Sequence, residues 1–259
     1  MPQVRPLHRF SPHEAVLDLD QCIGRRTVIE YGLTEEICAV TAETRTVRVV
    51  LPPHGGAGAF GVPAERLREI VRFAHGSAGS RLRPCNKLVA QALQNAGLAT
   101  LLFEQLTATE PASRANVFGS ALVADQLSRA TTWIQTTPPV RDSALDYFGT
   151  STGTAAPLLP VSSRPDVRAI VSHGGRLGPA SNALADVTAP TFLVVGGDDT
   201  DVLPLNQAPG RRLRCERHVE VVPGARRLFE EASALEAVVA LARDWFQQHL
   251  TTPHVTEQI

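Results

Sequence analysis

The chain has 259 residues, 43% of them hydrophobic and 20% charged, which is enough apolar matter for one sizeable core and too little charge for a disordered polymer. A formal net charge of −1 gives no electrostatic reason to expect nucleic acid or an anionic membrane as partner. The four cysteines Cys22, Cys38, Cys85 and Cys215 lie far apart, with no Cys-x-x-Cys pair and no zinc-type Cys/His cluster, so reduced thiols and no metal are expected. Met1 to Phe10 has no continuous apolar stretch of the signal-peptide kind, and no run approaches the ~20 residues that cross a bilayer. The expectation is a soluble cytoplasmic protein.

In chain order, residues 1 to 25 read as an arm, 26 to 250 as one domain and 251 to 259 as a tail. Arg26 to Tyr31, Glu36 to Thr41 and Thr46 to Leu51 are rich in Val, Ile and Thr and read as a short-stranded antiparallel meander. Pro52 to Pro63, with its glycines and prolines, reads as a long loop. Leu67 to Ala74 is the next strand. Asn86 to Asn95 has helical spacing through Leu88, Val89, Ala92 and Leu93 and stops before Gly97. Leu98 to Leu106 is a strand, and Val117 to Thr136 a helix with Leu122, Leu127, Ala130 and Ile134 on one side.

The apolar run Leu145 to Phe148 then leads into Gly149-Thr150-Ser151-Thr152-Gly153 and a small-residue segment that can open a helix. Beyond it lie a strand Val167 to Ser172, a short helix Ala180 to Val187 and an apolar strand Thr191 to Val195. Leu203 to Arg214 reads as a helix interrupted by Pro209, Val219 to Val222 as a strand and Leu228 to Leu250 as the closing helix. Strands alternating with helices predict a parallel sheet covered on both faces.

The Ser151 pentapeptide is what a nucleophile elbow needs: flanking glycines allow a sharp strand-to-helix turn that lifts the serine hydroxyl to its tip. A serine needs a histidine base, which an acid orients. In an open parallel sheet such groups gather at the carboxyl ends of strands. Val194 to Asp201 offers the acid in the right chain order; Asp198, Asp199 and Asp201 are all candidates, and Asp199 is favoured. His75 and Ser77 follow another strand, where the Ser77 N–H and the Thr152 N–H would form an oxyanion hole and His75 would line the pocket. No histidine occupies Pro223 to Phe229, the late position where the base is expected. His173 closes the strand after the elbow, about 4.8 Å away across one strand spacing. It is the candidate relocated base, set against the plainer reading of a histidine that only lines the pocket.

With these residues in view, the chain resembles the dienelactone hydrolase-like branch of the α/β-hydrolases over about residues 68 to 250. The resemblance rests on Phe73 to Arg81, Tyr147 to Gly153, Gly196-Gly197-Asp198-Asp199 and Pro223-Gly224-Ala225 ahead of Leu228 to Glu231. It implies an eight-stranded, mostly parallel sheet and cleavage of an ester or lactone through an acyl-enzyme, with Ser151 as nucleophile and Asp199 as acid. It also implies that Arg227 stands where relatives carry the catalytic histidine. An arginine stays protonated and serves as no base; facing the site, Arg227 would hold an anionic group of the substrate. The expected partner is a small-molecule ester or lactone, with no cofactor, and a homodimer is compatible with the sequence. The alternative is a non-hydrolytic relative, a cyclase, isomerase or ligand-binding protein that keeps the pocket without the triad.

Overall fold

A computed structural model describes residues 16–17, 29–30, 37–40, 44–51, 56–63, 69–75, 83–103, 120–137, 140–150, 166–180 and 182–250. The strands, in chain order, are β1 (Val16–Leu17), β2 (Ile29–Glu30), β3 (Ile37–Val40), β4 (Thr44–Leu51), β5 (Gly56–Pro63), β6 (Glu69–His75), β7 (Ala99–Phe103), β8 (Ala144–Thr150), β9 (Val167–His173), β10 (Thr191–Gly196) and β11 (Arg217–Val222). The helices are α1 (Pro84–Asn95), α2 (Ser120–Thr136), α3 (Val202–Gly210) and α4 (Ala232–Leu250).

The main sheet runs β11-β10-β9-β8-β6-β7-β5-β4-β3. β6 through β11 pair in parallel, and β5, β4 and β3 extend the β7 side as an antiparallel rim. The α/β-hydrolase sheet expected from the sequence is therefore present, carrying one strand more than eight. That strand is β5, which falls in the segment read above as a loop. Gly61 is a packing residue: a Cβ there would lie 2.0 Å from Gln94 Nε2 and 2.8 Å from Thr100 Oγ1, so a larger residue would have to displace the buried Gln94–Thr100 hydrogen bond. The meander also differs from expectation. β2 pairs with β1 in a separate two-stranded ladder rather than with β3.

Two apolar layers flank the sheet. On one face α2 packs Leu127, Ala130 and Ile134 against Ile70, Tyr147 and Ile170. On the other, α1 and α4 pack Val89, Leu93, Val238 and Phe246 against Phe73, Phe148 and Val171. Leu88, included above in the helical spacing, is 47% exposed; the buried face runs through Val89, Ala90 and Leu93. Ala180 to Val187 forms two single 3₁₀ turns, residues 178–180 and 184–186, rather than a helix. α3 runs to Gly210, one residue past Pro209, and so stops short of Arg214. The closing helix starts at Ala232 instead of Leu228, because Phe229 takes a positive φ of 50° that no helix accommodates.

Where β8 meets β9 the register shifts between Leu145 and Tyr147. Asp146 repairs the break. Its Oδ1 accepts the N–H groups of Arg168 (3.1 Å) and Ala169 (2.7 Å), while Oδ2 is buried with no partner among the described residues. Burial raises its pKa to about 7, further raised by Glu69 and opposed by the two backbone donors and Arg72. The unfolded chain ionises this group above about pH 4. Stability present at acid pH is therefore lost as pH rises through the window from about 4 to 7. Asp146→Asn keeps the accepting oxygen and removes the ionisation. It is expected to flatten that slope and to exceed the native chain at pH 8 by on the order of 2–4 kcal/mol in urea unfolding. A variant less stable than the native chain at pH 8 would contradict this assignment.

Candidate active site

β8 lies near the middle of the sheet, between β6 and β9, and ends on Thr150. The sequence therefore sets Ser151 as the first residue past the carboxyl end of a central strand. Ser151, Thr152 and Ser77 lie outside the described residues. Thr150 is in register with His75 of β6 on one side and His173 of β9 on the other. His173 is in turn in register with Val194 of β10, the strand that leads to Asp199. Three adjacent strands thus lead to the serine, the histidine and the acid, in the order that the sequence suggested.

Burial separates the three acids after β10. Asp198 and Asp201 are exposed, whereas Asp199 is 9% exposed. Its Oδ1 accepts the Val202 N–H at 3.2 Å, capping the N-terminus of α3, which favours a negative charge at that point. Its Oδ2 is buried and has no partner among the described residues. A capped carboxylate with one free buried oxygen is a fixed acceptor ready for a second donor.

His173 points into the α1/α4 layer. Its ring stacks on Phe148 with centroids 6.0 Å apart and meets Phe229 at 4.3 Å, and Nε2 lies 4.0 Å from the Cys85 Sγ. Nδ1 is buried without a partner among the described residues, so no hydrogen bond joins it to Asp199. Burial, helped by the charge of Arg83, pushes the His173 pKa down to about 4. The ring is neutral at neutral pH, the form that can take a proton, although its affinity for one is reduced. Burial also pushes the Cys85 thiol up to about 12, which keeps it protonated and unreactive.

The segment after β11 closes over the ends of β9 and β10. The Asp198 N–H donates to the Ala225 carbonyl at 3.0 Å and the Gly197 N–H to the Val222 carbonyl at 2.8 Å. At Gly174 (φ +54°) a Cβ would lie 2.6 Å from the Arg227 carbonyl oxygen. Arg227 is half-buried here, beside the residue that follows His173. Among the described residues no group of three or more His, Cys, Asp or Glu side chains is arranged to hold a metal ion.

Sequence reasoning missed Phe229 as a site residue. It is 1% exposed, sits in a left-handed turn and forms one wall of the His173 pocket. Its nearness in sequence to Arg227 was the one available signal. Phe229→Ala is expected to cost about 3–5 kcal/mol, as removal of a buried aromatic usually does. Admitting water should also move the His173 pKa from about 4 toward its ordinary 6.5, as followed by the imidazole proton shifts. A His173 titration unchanged in a folded variant would show that Phe229 does not control this ring.

Comparison with known protein families returns no match for the chain. A protein that bears the name phosphoribosyl transferase in two strains of Mycobacterium tuberculosis is 43% identical over 250 residues, or 96% of this chain. The chain spans only 56% of that relative's length. Among solved structures, the esterase Est1E from Butyrivibrio proteoclasticus superposes with a TM-score of 0.67 at 12% identity, covering 79% of this chain and 99% of its own, a likeness of fold. A dienelactone hydrolase from Anabaena variabilis superposes with a TM-score of 0.74 at 40% identity, covering 80% of this chain. Since that identity extends over 98% of the Anabaena protein, the chain belongs to the dienelactone hydrolase-like α/β-hydrolases.

Proposed function

We propose that the protein hydrolyses a small ester or lactone through an acyl-enzyme on Ser151, with Asp199 as the acid and His173 as the base. The observation that carries this reading is the order of strand ends: β8, β9 and β10 are neighbours and lead to Ser151, His173 and Asp199. In the reaction, His173 takes the Ser151 hydroxyl proton as Oγ attacks the carbonyl carbon. It returns that proton to the leaving alkoxide as the acyl–oxygen bond breaks. Water then repeats the sequence on the acyl-enzyme. The Ser77 and Thr152 N–H groups would hold the oxyanion, and His75 and Arg227 would line the substrate pocket.

A second reading has its own support. His173 Nδ1 and Asp199 Oδ2 each lack a partner among the described residues, so the acid–base link of a working triad is not made. A ligand-binding, cyclising or isomerising member of the family has no need of that link. Covalent labelling of Ser151 by a fluorophosphonate separates the two: rapid modification supports the hydrolase, and labelling no faster than that of a free serine overturns it.

A further inference from the structure

β11 forms one rim of the main sheet. The Thr191 N–H donates to the Glu216 carbonyl and the Gly197 N–H to the Val222 carbonyl. Even-numbered residues of β11 therefore turn their backbone groups toward β10. By strand alternation, Arg217, Val219 and Val221 turn theirs outward. No strand pairs with that rim among the described residues. Val219 and Val221 are each 39% exposed, on the same face of the strand. An apolar rim with open N–H and C=O groups is a template for another strand.

We propose that this rim pairs antiparallel with β11 of a second copy of the chain, about a two-fold axis through Val219. The sequence of the strand selects this occupant and this register. With the axis at Val219, Val219 meets its own mate and Arg217 meets Val221, all through outward backbone groups in hydrogen-bonded pairs, making about six N–H···O bonds. His218 then stands opposite Glu220 of the second copy, twice, and the two residues already approach within 3.4 Å inside one chain. Moving the axis to Glu220 would set two carboxylates against each other, and moving it to His218 would oppose two imidazoles. Pro223, which has no N–H, ends the pairing on the far side. Of these three axes, only the one at Val219 sets a His218 donor against a Glu220 acceptor.

Sedimentation velocity over a concentration series tests this. The native chain is expected to dimerise. Val219→Asp opposes two carboxylates at the axis and should weaken association by about tenfold or more, with an unchanged circular dichroism spectrum. His218→Glu should also weaken the dimer, and the double variant His218→Glu/Glu220→Lys should restore it by exchanging the charges. A chain that stays monomeric throughout overturns the proposal, as does a dimer indifferent to Val219→Asp or one that the charge exchange fails to restore.

Discussion

Ser151→Ala is expected to lower kcat on small esters by about 10⁵–10⁶-fold, the loss typical of removing the nucleophile from a triad that works as a unit. The change deletes one oxygen atom and leaves the flanking Gly149 and Gly153 in place. KM and thermal stability should therefore hold near native values. β8 ends at Thr150 with neighbours on both sides, and parallel sheets collect their ligands at the carboxyl ends of their strands. Steady-state rates with a p-nitrophenyl ester, corrected for the uncatalysed reaction, check it. An alanine variant with native turnover would remove Ser151 from the mechanism.

Asp199→Asn is expected to lower kcat by about 10⁴-fold, as loss of the orienting carboxylate does in related constellations. The substitution keeps the Oδ1 that caps α3 at Val202 and replaces Oδ2, which has no partner among the described residues, by an amide nitrogen. An amide nitrogen offers no acceptor for an imidazole N–H and no charge to stabilise an imidazolium. The fold should survive, because the cap survives. Asp198→Asn and Asp201→Asn, at exposed positions in the same turn, are the controls and should leave kcat little changed. If the loss instead follows Asp198, the acid has been assigned to the wrong neighbour.

How much of this was legible in the sequence depended on whether the deciding contacts were local. The alternation of apolar strands and amphipathic helices carried the parallel sheet, and the glycine-flanked Ser151 marked the central strand, because both signals lie within a few residues of each other. Asp199 was already favoured from the sequence; burial, which three acids in four positions do not reveal, is what sets it apart from Asp198 and Asp201. β5 was missed because its glycines carry loop propensity. Gly61 instead packs against Gln94 and Thr100, side chains that only the fold brings near.

The surroundings of His173 were the least legible feature. Cys85 lies 88 positions away in sequence, and Phe229 reaches the ring only through its left-handed turn. From the sequence, His173 is a polar residue at a strand end beside the nucleophile. In the fold it is a neutral ring enclosed by Phe148, Phe229 and Cys85, held near the serine's strand but not bonded to the acid.

Whether that ring activates the serine separates a working hydrolase from a binding protein. The most direct measurement is the rate at which a fluorophosphonate labels the protein, followed by intact mass, in the native chain, Ser151→Ala and His173→Ala. Rapid addition of one label to the native chain, none to Ser151→Ala and a collapse of the rate in His173→Ala are the expected results. Labelling no faster than that of a free serine in all three would contradict this mechanism, as would rapid labelling that His173→Ala leaves unchanged.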